Sequence, residues 1–166
     1  MIKPLLKSIF STRTINMMLY DLARLKARTK TRRQAIPTQD RLHLGCGQRK
    51  VSGWLNVDVS GSDLDWDLAC GRLPWPDNVF SAVVSQHCIE HLEFYGELLP
   101  LLAELRRVIR PGGEIWLSCP DMDKVCQDYI GSKGQTLLED RRSRFPHYTL
   151  KGAPPQHIIN DLFNQQ

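Results

Sequence analysis

The chain has 166 residues, 42% hydrophobic and 24% charged, with a formal net charge of +4. That balance suits one globular domain of ordinary size and excludes a collagen-like or low-complexity chain. No apolar run approaches the ~20 residues of a membrane-spanning helix, and five cysteines with no C-x-x-C pair read as free thiols rather than a disulfide framework.

The opening "MIKPLLKSIF" is basic and apolar, but its apolar run is short and interrupted, and no small-residue cleavage site follows. The expectation is an intracellular, cytoplasmic protein. Charge is unevenly spread. Residues 1–36 carry nine Lys/Arg and one acid, Asp21, a net of +8; the remainder carries 13 basic and 17 acidic residues, a net of −4. Within the basic segment Ile15, Met18, Leu19, Leu22 and Leu25 recur at helical spacing, with Arg24, Lys26, Arg28, Lys30, Arg32 and Arg33 around and after them. Two readings stand: a basic amphipathic helix for a membrane surface or other anionic partner, or a solvated helix packed on its own domain. Pro37 and the polar "TQD" mark a linker, which divides the chain into an arm, residues 1–37, and a domain, residues 38–166.

From residue 41 the texture alternates. "RLHLGCG" reads as a short apolar strand closing on glycines, "WLNVDVS" (54–60) as a second strand and "FSAVVSQ" (80–86) as a third. A helix is expected over residues 97–110, with Leu98, Leu101, Leu102, Leu105, Val108 and Ile109 on one face and "RPGG" as its stop. "EIWLSCP" (114–120) is the strand after it. Strands alternating with helices predict an α/β fold, a mostly parallel, doubly wound Rossmann-like sheet covered by helices.

The chemistry starts at "LHLGCGQ". Glycines after a first strand let a ligand approach the backbone, at the strand end where such sheets bind ligands. The spacing is G-x-G without a third glycine, which by itself equally suits a tight turn. Asp58 lies 11 residues after Gly47, near the end of the second strand. An acid there accepts hydrogen bonds from ribose hydroxyls, and the pair together favours an adenosine-containing ligand. In "DLACGRLPWPD", Asp67 suits an adenine amino group and the backbone of Leu68 the ring; the plainer alternative is a capping aspartate in a loop stiffened by Pro74 and Pro76. "HCIEH" (87–91) fits H-x-x-E-H, a zinc-protease spacing. Gly96 and Pro100 interrupt the long helix such a site needs, so no metal is expected.

"LHLGCGQRKVSGWLNVDVS", "WDLACGRLPWPDNVFSAVVSQHCIEHL" and "LAELRRVIRPGGEIWLSCPD", in that order, resemble the class I S-adenosylmethionine-dependent methyltransferases, most of all the small bacterial type 11 proteins. The resemblance covers about residues 41–125. It implies S-adenosylmethionine as cofactor and methyl transfer as the activity. It implies that Gly45, Cys46 and Gly47 cradle the methionine part, Asp58 holds the ribose, Asp67 and Leu68 face adenine, and Ser85, Gln86 and His87 line the methyl side. His87 is the candidate base, with Asp121 as a weaker one. Glu90 and His91 are read as lying on a short helical turn behind it, packing and hydrogen bonding around the sheet edge.

The sequence departs from the family in two places. Only six residues separate Gly47 from Trp54, too few for a crossover helix. Residues 121–166 contain no convincing pair of terminal strands, so the fold is expected to lack its last two. That feature keeps open a non-catalytic or partner-completed binding module. A nicotinamide-dependent oxidoreductase is the third reading, since G-x-G plus a strand-end acid also suits NAD. The acceptor is unidentified, and nucleic acid is not expected because no stacking motif or recognition helix stands out.

Overall fold

The computed structural model describes residues 9–31, 36–37 and 39–144. Five strands are formed by Arg41–Leu44 (β1), Leu55–Asp58 (β2), Leu64–Asp65 (β3), Phe80–Gln86 (β4) and Ile109–Ser118 (β5). All pair in parallel, in the order β3-β2-β1-β4-β5. β1 is central, with Leu42 opposite Leu55 on one side and Val83 on the other. Leu42, His43 and Leu44 are all buried, as expected of a strand flanked on both sides.

Four helices are described: α1 (Thr12–Thr31), α2 (Leu99–Val108), α3 (Met122–Ser132) and α4 (Gln135–Arg144). By its internal contacts the chain forms two units, residues 1–118 and 119–166. The sequence suggested a boundary near Pro37; α1 belongs to the unit that holds the sheet.

The core of the first unit lies between α2 and one face of the sheet. Leu101, Leu105 and Val108 recur at i, i+4 and i+7, and all three are buried against Leu42, Leu44, Val57, Phe80 and Val83. Trp75 meets Phe80 edge to face at 5.1 Å and donates its ring N–H to the Pro37 carbonyl at 2.8 Å. Arg107 of α2 fastens the stiff proline loop. It donates to the carbonyls of Leu73 and Trp75, to Asp77 at 3.0 Å and to Glu104 at 2.6 Å. Glu104 in turn accepts the Leu73 N–H at 2.8 Å.

Two boundaries differ from the sequence reading. The helix expected over 97–110 starts as a π-turn, Phe94–Leu98, and is α-helical only over Leu99–Val108. The strand expected at 114–120 begins at Ile109, because "RPGG" is an irregularity inside β5 rather than a loop before it. Phe80 pairs with Ile109, and the next pair is Ala82 with Glu114. Gly113 makes this possible: a Cβ there would lie 2.6 Å from Ile109 Cγ1 and 2.9 Å from the Ser81 carbonyl.

The link between β1 and β2 has no helix, as its length required. Asn56 supplies the order a helix would have given. Its side chain accepts the Val51 N–H at 2.8 Å and donates to the carbonyls of Val51 and Trp54 and to Asp63. His43 completes the cluster, 3.1 Å from the Asn56 oxygen.

In the second unit Asp121 caps α3 by accepting the Lys124 N–H at 3.0 Å, and Asp128 accepts the Leu137 N–H at 3.1 Å to join α3 to α4. No strand occurs in residues 119–144. The segment 145–166, with "HIINDLF", lies outside the described residues, as do Arg32 and Arg33.

Candidate functional site

The glycine loop and the strand-end acid meet. Gly45 and Gly47 both adopt left-handed backbone, with φ of 63° and 50°. That turn brings the Gly47 N–H to Asp58 Oδ2 at 2.8 Å, while Asp58 Oδ1 accepts the Val59 N–H at 2.7 Å. A carboxylate has about four lone-pair positions. Two are used here, so two remain on a half-buried group at the carboxyl end of β2.

The two glycines are needed for different reasons. A Cβ on Gly45 would sit 2.5 Å from both Cβ and Sγ of Cys88, whereas one on Gly47 would meet nothing within 4 Å. The close approach at Gly45 is therefore made by the protein itself, and the open side belongs to Gly47. Cys46, between them, is buried, and burial raises its thiol pKa. Burial likewise pushes the Cys88 thiol up to about 11, with the Ser85 hydroxyl acting against it. Neither thiol is a nucleophile near neutral pH.

Ser85 and His87 stand at the end of β4. Ser85 is buried, with its hydroxyl beside the Cys88 thiol. Gln86 and His87 are exposed. His87 takes the unusual left-handed conformation, with φ of 52°, and its N–H donates to the Ser118 carbonyl at 3.0 Å. Its ring Nδ1 lies 3.3 Å from Glu90 Oε1. An ionised Glu90 only accepts, so this contact fixes the proton on Nδ1 and leaves the Nε2 lone pair facing outward from the pair. The sequence reading gave Glu90 packing and hydrogen bonding around the sheet edge, without naming His87 as its partner. The i+3 spacing on a tight turn was the signal that links it to His87. His91 closes a 3-10 turn, Ile89–His91, so the two histidines share no α-helical face. Among the described residues no group of three His, Cys, Asp or Glu is placed to hold a metal ion.

Asp67 has partners that the sequence did not reveal. Its carboxylate is 1% exposed and is held by Arg28 at 2.7 Å and Arg24 at 3.1 Å, both from α1. It also accepts the Ala69 N–H at 3.1 Å, capping the 3-10 turn Leu68–Cys70. Arg24 reaches on to Glu97 at 3.0 Å. These ion pairs are why α1 belongs to the sheet unit. Leu68 turns its side chain into the core, leaving only its backbone toward the loop. Beside Asp67 is a cavity of about 550 Å³, lined by Arg28, Ile36, Trp66, Ala69, Cys70 and Pro74. Tyr20 of α1 is half-exposed; partial burial raises its hydroxyl pKa, with Arg24 opposing and the charges of Asp67 and Asp58 adding. Asp121, in the other unit, is accounted for as a helix cap.

Residues 42–117 match the family described as "Methyltransferase domain". No curated protein matches the chain. Among solved structures, the chain is similar to a protein of Methanococcus maripaludis provisionally described as an S-adenosyl-L-methionine-dependent methyltransferase. The two are 14% identical, over 92% of this chain and 80% of that one, with a TM-score of 0.41.

Proposed function

We propose that this chain, whose residues 42–117 match a methyltransferase domain, is a class I methyltransferase that binds S-adenosylmethionine across the carboxyl ends of β1, β2 and β4 and passes its methyl group to a nucleophilic acceptor there. The observation that carries this reading is the Gly47–Asp58 contact. It brings a sterically open, left-handed glycine beside a carboxylate with two lone pairs to spare.

The residues fit the cofactor's parts. Asp58 has the capacity to accept from both ribose hydroxyls. Gly45, Cys46 and Gly47 form the turn on which the methionine part rests, and the buried Ser85 hydroxyl lies at the end of β4 near it. The cavity beside Asp67, with apolar walls and one carboxylate edge, suits a purine ring. Asp67 reaches adenine directly only if Arg24 or Arg28 yields one of its oxygens.

S-adenosylmethionine supplies the electrophilic methyl group and the sulfide leaving group. The protein's part is to hold the acceptor atom in line, about 3–3.5 Å from the methyl carbon. His87 Nε2 is the base for an acceptor that must lose a proton, and Glu90 holds the ring in the required tautomer. The acceptor class stays open: sugar, lipid-linked glycan, metabolite or protein.

Parallel titrations with S-adenosylhomocysteine and NADH test the reading. Saturable binding of the first and none of the second supports it. Preference for NADH would replace it with the oxidoreductase reading. S-adenosylhomocysteine binding without methyl transfer to any acceptor class would favour a non-catalytic module.

A further inference from the structure

An amphipathic helix normally turns its apolar side to its own domain. α1 does the reverse. The side facing the sheet unit carries Tyr20, Arg24, Ala27 and Arg28, with Ala27 buried and the arginines bound to Asp67 and Glu97. Most of the apolar stripe faces out: Met18 is 44% exposed, Leu22 50% and Leu25 57%, while Ile15 is half-buried and Leu22 borders a groove shared with Val59 and Asp65. Leu19, at the stripe's edge, is as exposed as Leu22. The ion pairs fix the helix in this orientation, because turning it would strip a buried carboxylate of its cations.

We infer that the outward face of α1 is a docking surface for an anionic lipid membrane. Charge selects the occupant. α1 carries Arg13, Arg24, Lys26, Arg28 and Lys30 against the single acid Asp21, and residues 1–36 as a whole have a net charge of +8. Lys26 is exposed beside the stripe, and Arg13 is exposed near the start of α1 on the Arg24 side. A second copy laid on the stripe brings one segment of net charge +8 against another. A negative lipid surface meets the same cations favourably and accepts the leucines and methionine below its headgroups. α1 is not long and apolar enough to cross a membrane, so the contact is in the surface plane. At 20 residues it covers about 30 Å.

The test is flotation of the full chain with vesicles of phosphatidylcholine alone, and of phosphatidylcholine with about 30% phosphatidylserine as the anionic lipid. Two double variants accompany it: Leu22→Gln with Leu25→Gln, which removes apolar surface at constant charge, and Arg13→Glu with Lys26→Glu, which keeps the stripe. All four side chains are exposed and outside the Asp67 cluster, and a cooperative melt checks each protein. The inference predicts at least tenfold more binding to the anionic vesicles, weakened by salt as exposed charges are screened. Each double variant loses most of it. Absence of vesicle binding by the folded parent chain overturns the proposal. So does binding that neither variant changes, or a dimer in solution that the glutamine variant converts to monomer, which would make a second copy the occupant. S-adenosylhomocysteine binding, measured on the same samples, stands or falls independently.

Discussion

Gly47 donates its backbone N–H to Asp58 across 11 residues of sequence, at 2.8 Å. The bond ties the turn after β1 to the end of β2 with no helix between them. Under the proposed function, it sets the distance between the ribose and the turn that carries the rest of the cofactor.

The two glycines of the turn separate by mutation. Both have positive φ, so an alanine at either costs about 1–2 kcal/mol of backbone strain. Gly45→Ala adds a collision with Cys88, and its total loss of stability is expected to exceed that of Gly47→Ala by more than about 1 kcal/mol. Gly47→Ala instead places its methyl in the open side of the site, so it weakens S-adenosylhomocysteine binding more than folding. Denaturant melts and calorimetry on the two variants check both halves.

Arg24 and Arg28 are not equivalent. Arg24 is the more buried partner of Asp67 and also holds Glu97, whereas the Arg28 side chain is half exposed. Arg24→Ala with Arg28→Ala leaves a buried carboxylate unpaired, with an expected cost of about 3–5 kcal/mol. Arg28→Ala alone costs a minor part of that. Asp67→Asn in the double-alanine background recovers stability, because the amide removes the unpaired charge. Urea melts of the set decide it.

Glu104 gives a pH signature. Its pKa is lowered from 4.5 to about 2, chiefly by hydrogen bonds from Arg107. Because the folded pKa lies below the unfolded one, the pair's contribution is complete above about pH 4.5 and is lost as pH falls toward 2. Glu104→Gln flattens the stability profile in that window and lowers stability at neutral pH by about 1–2 kcal/mol. Melts from pH 7 down to 2.5, parent against variant, measure it.

His87 and Glu90 predict a division between binding and turnover. His87→Ala is expected to leave S-adenosylhomocysteine affinity within about threefold while lowering methyl transfer about 10²–10⁴-fold to an acceptor that must be deprotonated. Glu90→Gln changes the pH dependence of transfer more than its maximum. Labelled methyl incorporation, measured against pH, checks both.

Much of this was legible in the chain. "RLHL", "LNVD" and "FSAVVSQ" are short segments with Leu, Val or Phe at the buried positions, and each is a strand of the parallel sheet. The start of β5 was hidden because "RPGG" has the chemistry of a helix stop, and only the pairing of Ile109 with Phe80 draws it into the strand. The amphipathicity of α1 was plain, but not which side would dock. That depends on Asp67, 39 and 43 residues from the arginines that bind it, and no local pattern reports such a distance. Gly45 illustrates a subtler limit. Its type was read as room for a ligand, while the space is filled by Cys88.

The most direct test of the central claim is calorimetric titration of S-adenosylhomocysteine into the chain and into Asp58→Ala, each with a cooperative melt recorded first. One-to-one binding by the parent, weakened at least about 100-fold in the variant, is the expected result, since two hydrogen bonds to a charged group are lost. No heat from a well-folded parent chain, or equal affinity in the folded variant, would contradict a cofactor held at the Gly47–Asp58 junction.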